Sequence, residues 1–284
     1  MDREGREGRK DIKLIALDLD GTTLNSFDRI SENTGNTLSE AVRSGVHVVV
    51  ATGRPMCALP EDVKKIDGIE YAITSNGACL TRLADDKLLH HSVHDPKAIE
   101  TIAAMLRPTN YMTEIFVGGK AYIGEQFFYD PNSHKFGKKR AEYISATRIP
   151  VPDIYDYMLA NKDAIENINV NFYDQESKMK FWKEADALGI ATVTSSYFSN
   201  VELGGLKASK ANALEKLCEI LDVDRAHTMA CGDSPNDLAM LHAAGFSVAM
   251  GNAVDSVKEA ADYVTLTNDE DGVAAAVRKF VLGA

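Results

Sequence analysis

The sequence predicts an α/β protein, a doubly wound parallel sheet interrupted by a separate α+β unit. Three observations predict it. Short apolar runs rich in β-branched residues alternate with amphipathic stretches at both ends of the chain, the rhythm of a parallel sheet covered on both faces. Each of those runs stops abruptly in polar residues. The middle of the chain breaks the rhythm, with candidate strands that alternate polar and apolar residues as half-exposed antiparallel strands do.

The elements follow in order. Residues 12–17 (IKLIAL) read as a buried strand. A helix opens near Ser31, a side chain suited to an N-cap, carries Leu38, Ala41 and Val42 on its apolar stripe, and closes at Gly45. Residues 46–51 (VHVVVA) form a second buried strand, broken by TGRP and followed by a short helix. Residues 70–74 suggest a third strand, ended by Asn76-Gly77. Near the C-terminus, 209–222 is an amphipathic helix with Ala213, Leu217 and Leu221 spaced by four. Strands at 227–231, 246–250 and around Tyr263–Leu266 then alternate with helices at 234–244, a short one after 250, and a last one from Asp271. Between these halves lie the alternating stretches 111–117 and 167–174, with helices near 96–106 and 176–188. The expected division is a disordered tail over 1–10, a core in two parts over 11–83 and 196–284, and an inserted α+β unit over 84–195.

Composition bounds the function. The 284 residues are 45% hydrophobic and 26% charged, ordinary for a globular chain, and the net charge is -11. That balance argues against a sequence-independent nucleic-acid binder, which needs a basic surface. The first ten residues are charged and lack the apolar stretch of a targeting signal, and no apolar run approaches the ~20 residues of a membrane helix. Cys57, Cys79, Cys218 and Cys231 are scattered and form no CxxC, so they read as reduced, packed cysteines and imply a cytoplasmic location.

Four polar clusters carry the chemistry. Asp18-Leu19-Asp20-Gly21-Thr22 ends the first strand. Strand residues alternate faces, so Asp18 and Asp20 point the same way, and two adjacent carboxylates repel unless a cation compensates. Gly232-Asp233-Ser234-Pro235-Asn236-Asp237 follows another apolar strand and gathers oxygen ligands suited to Mg²⁺, although Asp233 or Ser234 could equally cap an ordinary helix. Thr52-Gly53-Arg54, after the second strand, offers a hydroxyl and backbone N–H groups to phosphate, and as a bare tripeptide is also an ordinary turn. Lys210 opens an amphipathic helix, and a lone lysine is usually a surface charge. Their conjunction makes the case, because parallel strands all end on one edge of the sheet. Asp18 and Thr52 are 34 residues apart, one strand–helix–strand unit, whereas Thr52 and Lys210 are 158 apart, far too long for one crossover. The excess is the middle unit.

With these clusters in this order, the chain resembles the haloacid dehalogenase (HAD) superfamily of phosphohydrolases, and within it the Cof-type sugar phosphatases. The resemblance runs over about 12–284 and rests on DLDGTTL, ATGR, the SKANAL segment and GDSPND, with SNGA (75–78) and MGNA (250–253) also matching. It implies a Rossmann-like core with an inserted α+β cap domain, and a Mg²⁺-dependent phosphatase for small phosphorylated metabolites such as sugar phosphates. By that resemblance Asp18 would attack phosphorus and become an aspartyl-phosphate, and Asp20 would protonate the leaving oxygen and later activate water. Thr52 and the Gly53 backbone would hold the phosphoryl oxygens, with Arg54, Asn76, Gly77 and Asn236 around them. Lys210 would neutralise charge between Asp18 and the phosphate. Mg²⁺ would sit on Asp18, the Asp20 carbonyl and Asp233, with Asp237 and Asn236 supporting metal and lysine. The family often has Lys-Gly at its third motif; here Ala211 follows Lys210, and Lys207 is an alternative three residues earlier. Lys210 is preferred because the helix pattern starts there.

The middle unit reads as a lid that supplies substrate contacts. Its basic stretch 134–140 (HKFGKKR) could recognise a second anionic group, although such a run is more often a solvated face. Two other readings stay open. One is a phosphomutase, which returns the phosphoryl group to the sugar. The other is a non-catalytic ligand-binding relative, which the presence of Asp18, Asp20, Lys210 and Asp233 argues against. A small phosphorylated metabolite is the expected partner, with no nucleic acid and no membrane.

Overall fold

The computed structural model describes residues 11–130 and 138–284. The tail 1–10 and residues 134–137 of the basic stretch therefore lie outside the described residues. Fourteen strands are described: β1 Leu14–Leu17, β2 His47–Ala51, β3 Ile69–Thr74, β4 Cys79–Arg82, β5 Lys87–His91, β6 Met112–Val117, β7 Lys120–Gly124, β8 Arg148–Val151, β9 Ile165–Asn171, β10 Thr192–Thr194, β11 Asn200–Gly204, β12 Thr228–Gly232, β13 Phe246–Ala249 and β14 Tyr263–Val264. The chain divides into two compact units. One holds the described residues up to Thr52 together with Pro60–His90 and Ser209–Ala284, and the other holds Gly53–Leu59 and His91–Ala208.

The first unit is the doubly wound α/β core. Its eight-stranded sheet runs β14-β13-β12-β1-β2-β3-β4-β5, parallel from β14 to β3. The chain winds outward from β1 through β2 and β3, then from β12 through β13 and β14 on its other side. The first strand is wholly buried, which is why it reads as an unbroken apolar run. Helix Glu32–Arg43 starts where Ser31 accepts from the Thr34 N–H at 3.0 Å, and it buries Leu38 and Ala41. Helix Lys210–Leu221 starts likewise, with Ser209 accepting from the Asn212 N–H at 3.0 Å. Unexpected from the sequence is the antiparallel β4, which pairs with β3, and β5 beyond it at the sheet edge. These short strands follow a tight turn rather than a helix, and periodicity over four or five residues does not resolve them.

The second unit carries a six-stranded sheet, β10-β11-β9-β6-β7-β8, antiparallel except between β7 and β8. One face is apolar: Ile115, Ile168, Val170, Val201 and Leu203 share a core with Ile99, Leu106 and Phe181 from its helices. The alternation in the sequence suggests that the opposite face is exposed, and this expectation is corrected. Both β9 and β11 are buried along their whole length. The polar positions of that second face, among them Glu114, Asn169, Asn171, Asn200 and Glu202, are all nearly inaccessible. They stay inside because they satisfy one another: Asn200 Nδ2 donates to Asn169 Oδ1 at 3.0 Å, and Glu114 takes guanidinium bonds from Arg148 and Arg140. Among the described residues, no helix is long and apolar enough to cross a membrane.

Candidate active site

Sheet register assembles the site in the first unit. Leu17 lies opposite Cys231 on one side and Val50 on the other, so the residues that follow, Asp18, Thr52 and Asp233, emerge at one edge of three adjacent strands. Gly21 turns the chain there with φ +77°, and a Cβ on it would come within 2.6 Å of Asp233 Oδ2. Only glycine therefore lets this loop lie against Asp233.

Lys210 is the hub. It is 1% exposed, and its Nζ donates to Asp18 Oδ1 at 2.5 Å and to Asp237 Oδ1 at 2.7 Å. Lys207 is exposed and lies in the second unit, so geometry favours Lys210 of the two. Asp237 is fully engaged, because its other oxygen accepts the N–H groups of Asp233 at 3.0 Å and Ser234 at 3.1 Å. Asp233 is fixed through both oxygens by Thr22 Oγ1 at 2.8 Å and Ser234 Oγ at 2.9 Å. Thr23 Oγ1 donates to the Asp18 carbonyl at 2.6 Å, and Asn252 Nδ2 to the Gly21 carbonyl at 2.8 Å. These four hydroxyl and amide groups were not foreseen as functional, although all lie inside the quoted motifs. Their signal is a short polar side chain one to four residues from a motif acid or glycine.

The electrostatics are those of crowded acids. Burial, with the Asp237 carboxylate next, pushes the Asp18 carboxyl well above its ordinary range against the pull of Lys210. Burial and then Asp237 push Asp233 to about 6. Burial works to lower the Lys210 ammonium, but Asp18 and Asp237 outweigh it and hold its pKa above the usual lysine value. Beside Asp18 on the neighbouring strand, the Cys231 carbonyl accepts the Asp18 N–H, and burial raises the Cys231 thiol to about 12. Carboxylate oxygens of Asp18, Asp233 and Asp237 all lie within 4.8 Å of one another. One ammonium facing three such acids leaves negative charge over, and an all-oxygen donor set fits a hard dication.

The remaining expected residues fall in two groups. Thr52 is fully buried, with its N–H donated to Ile73 and its carbonyl accepting from the Asn76 N–H at 3.1 Å. Ser75, Asn76 and Gly77 form a left-handed run with φ of 52°, 54° and 93°. Gly77 packs so closely that a Cβ would sit 2.1 Å from the Ser209 carbonyl, one residue before Lys210. Asn76 Oδ1 accepts from Asn236 Nδ2 at 3.1 Å, while Asn236 Oδ1 is buried with no partner among the described residues. Asp20 is half-buried at the turn. Gly53 and Arg54 belong to the second unit.

Comparison with known proteins identifies the family. Residues 15–277 match the family model of haloacid dehalogenase-like hydrolases. The chain is 34% identical over 279 residues to Phosphatase YwpJ of Bacillus subtilis (strain 168), covering 93% of this chain and 98% of that protein. It is 35% identical over 278 residues to 5-amino-6-(5-phospho-D-ribitylamino)uracil phosphatase YcsE of the same organism, covering 96% and 97%. A solved haloacid dehalogenase-like hydrolase from B. subtilis superposes with a TM-score of 0.85 at 34% identity, over 94% of this chain and 99% of that one. With the match running through both sheets and every motif of the acid edge, the chain belongs to the haloacid dehalogenase-like hydrolase family and is a phosphoric monoester hydrolase.

Proposed function

We propose that the protein is a Mg²⁺-dependent phosphatase that hydrolyses small phosphorylated metabolites, sugar phosphates among them, through an aspartyl-phosphate on Asp18. The observation that carries the reading is Lys210 Nζ held between Asp18 and Asp237, beside the Asp233 carboxylate. Asp18 is the nucleophile, since an aspartate splits hydrolysis into two easier displacements. Its Oδ attacks phosphorus in line, the ester P–O bond breaks, and Asp20 gives its proton to the departing alcohol. Asp20, now a carboxylate, then takes a proton from the water that attacks the same phosphorus and frees Asp18. Lys210 offsets charge on the nucleophile and the phosphoryl oxygens, and Thr52, with the Gly53 backbone, Arg54, Asn76, Gly77 and Asn236, orients them. Asp18, the Asp20 carbonyl and Asp233 would hold Mg²⁺. Asp237, whose two oxygens are already hydrogen-bonded, anchors Lys210 and the Asp233 turn rather than serving as a first-choice ligand. A bound Mg²⁺ supplies positive charge that brings nucleophile and phosphate together.

The second unit then acts as the cap that selects the leaving group. YcsE is named for a ribityl phosphate carrying a uracil, so that compound belongs in the substrate panel. The deciding experiment is phosphate release from a panel of small phosphate esters, with Mg²⁺ and with chelator, for wild type and Asp18→Asn. Metal-dependent release that disappears in the variant is expected. Substantial turnover by Asp18→Asn would sink the assignment.

A further inference from the structure

The loop that carries Asp20 is held from outside by side chains to which the reaction scheme gives no task. Beyond β1 the chain folds back on itself: the Leu19 carbonyl accepts the N–H groups of Thr22, Thr23 and Leu24 at 3.2, 3.0 and 2.8 Å, and Asp20 and Leu24 form an isolated bridge. Two carbonyls of this turn are taken by amides from the other end of the chain. Asn252 Nδ2 donates to the Gly21 carbonyl at 2.8 Å, and Asn268 Nδ2 donates to the Leu24 carbonyl at 2.8 Å. The two asparagines are joined, since the Asn268 N–H donates to Asn252 Oδ1 at 2.9 Å. A backbone N–H can only donate, so that bond fixes Oδ1 as the acceptor and leaves Nδ2 for Gly21. Asp269 continues the series, its Oδ1 accepting the Ser26 N–H at 2.8 Å. All these residues belong to the first unit.

The clamp is tied to the acid edge at its other end. Asn252 lies in the turn 250–254, directly after β13. In that turn the Met250 N–H donates to the Gly232 carbonyl at 3.0 Å, and the Val254 N–H donates to the Asp233 carbonyl at 3.1 Å. The Gly251 N–H donates to the Leu266 carbonyl at 2.9 Å, which brings the turn against the segment that holds Asn268. Asn252 thus has the Asp233 backbone on one side and, on the other, the residue that follows Asp20. Asn252 itself is exposed, and water satisfies a surface amide or carbonyl about as well. Water does not set a distance between two loops. A misplacement of about 1 Å at a reacting group can cost about a hundredfold in rate. A spacer between the Asp233 turn and the Asp20 loop therefore acts on the chemistry, beyond any effect on stability.

We propose that Asn252, backed by Asn268, is a positioning residue for Asp20, acting through the Gly21 carbonyl. The proposal rests on the phosphatase reading above and adds to it what holds the general acid in place. In the first transfer the Asp18 O–P bond forms, the ester P–O bond breaks, and the Asp20 proton goes to the departing oxygen. A leaving group that is stable as an anion does not need that proton; a sugar alkoxide does. Loss of the clamp is therefore read in the dependence on leaving group, which a loss of folded protein does not change.

The test is kcat/KM, which reads the first transfer, for glucose 6-phosphate and p-nitrophenyl phosphate in wild type, Asn252→Ala, Asp20→Asn and the double variant. The ratio of the two esters is independent of how much of each sample is folded. Asn252→Ala should lower that ratio, sugar over aryl, about tenfold, a fraction of the ~10²–10⁴ that a general acid supplies. Asn268→Ala should lower it in the same direction and by less. Asp20→Asn should lower it further, and adding Asn252→Ala to Asp20→Asn should then leave the ratio where it is, because the clamp acts through that acid. An equal fall on both esters in Asn252→Ala, no fall on either, or effects that multiply in the double variant would overturn the proposal and leave the phosphatase reading standing. A wild type inert towards both esters, or full turnover by Asp18→Asn, would overturn that reading and the proposal with it.

Discussion

At the scale of single residues, the site is a charge problem that one ammonium solves only in part. Asp18 and Asp237 are buried, and Lys210 is the cation that contacts both. Replacing it with an apolar side chain leaves two acids uncompensated. Lys210→Met is therefore expected to lose about 3–5 kcal/mol in urea unfolding at pH 7. Adding Asp18→Asn to that variant should return part of the loss, since it removes one of the stranded charges. Asp233 gives a pH signature. Its folded pKa of about 6 lies above the ordinary carboxyl value of 3.8. The cation-free fold therefore gains stability as pH falls from about 6 towards the unfolded pKa, where only the folded state has taken up the proton. Mg²⁺ needs the ionised acids, so its effect runs the other way. Thermal melts at pH 5 and pH 7.5 should show a larger Mg²⁺-induced rise in Tm at the higher pH; a pH-independent rise would argue against binding at Asp18 and Asp233.

At the scale of elements, the lysine is positioned by a junction of two. Ser209 caps the helix that Lys210 begins, and the left-handed Ser75–Asn76–Gly77 run abuts the Ser209 backbone. Ser209→Ala should cost about 1 kcal/mol, the usual value of an N-cap. Gly77→Ala should cost more, about 2–4 kcal/mol, because its Cβ meets backbone and its φ of 93° is left-handed. It should also reduce kcat, which a cap loss alone would not. The parallel strands and their two capped helices were legible in the sequence because each is long or strongly periodic and ends in its own signal: Ser31, Ser209, or an acid after an apolar run. The acid edge was legible for the same reason, since strand order in a parallel sheet carries its register with it. What the sequence hid was pairing that needs three dimensions. Nothing local distinguishes Asn76 as the partner of Asn236, or Thr22 as the donor to Asp233. The polar face of the second sheet was misread for a related reason. Alternation reports that one side of a strand is polar, and polarity implies exposure only when the polar groups lack partners of their own.

At the scale of the whole molecule, an enzyme of net charge -11 must receive an anionic substrate. The global field opposes the encounter, and only the local cations favour it. Raising ionic strength from about 0.01 to 0.15 M shrinks the screening length from about 30 to 8 Å, which quenches the long-range repulsion while sparing contacts at the site. At fixed Mg²⁺, kcat/KM for a phosphate dianion should rise about two- to fivefold; a fall would mean that local cations already dominate the approach. The cysteines have a whole-molecule meaning as well. Cys57 is exposed, whereas Cys79, Cys218 and Cys231 are buried, and Cys231 lies beside Asp18 on the neighbouring strand with its thiol pushed to about 12. A thiol so far from ionising is inert to alkylating reagents while the sheet holds. The folded chain thus offers one quickly labelled sulfur and the unfolded chain four, so the protein carries an intrinsic counter of its own opening, read in whole mass increments without any attached dye.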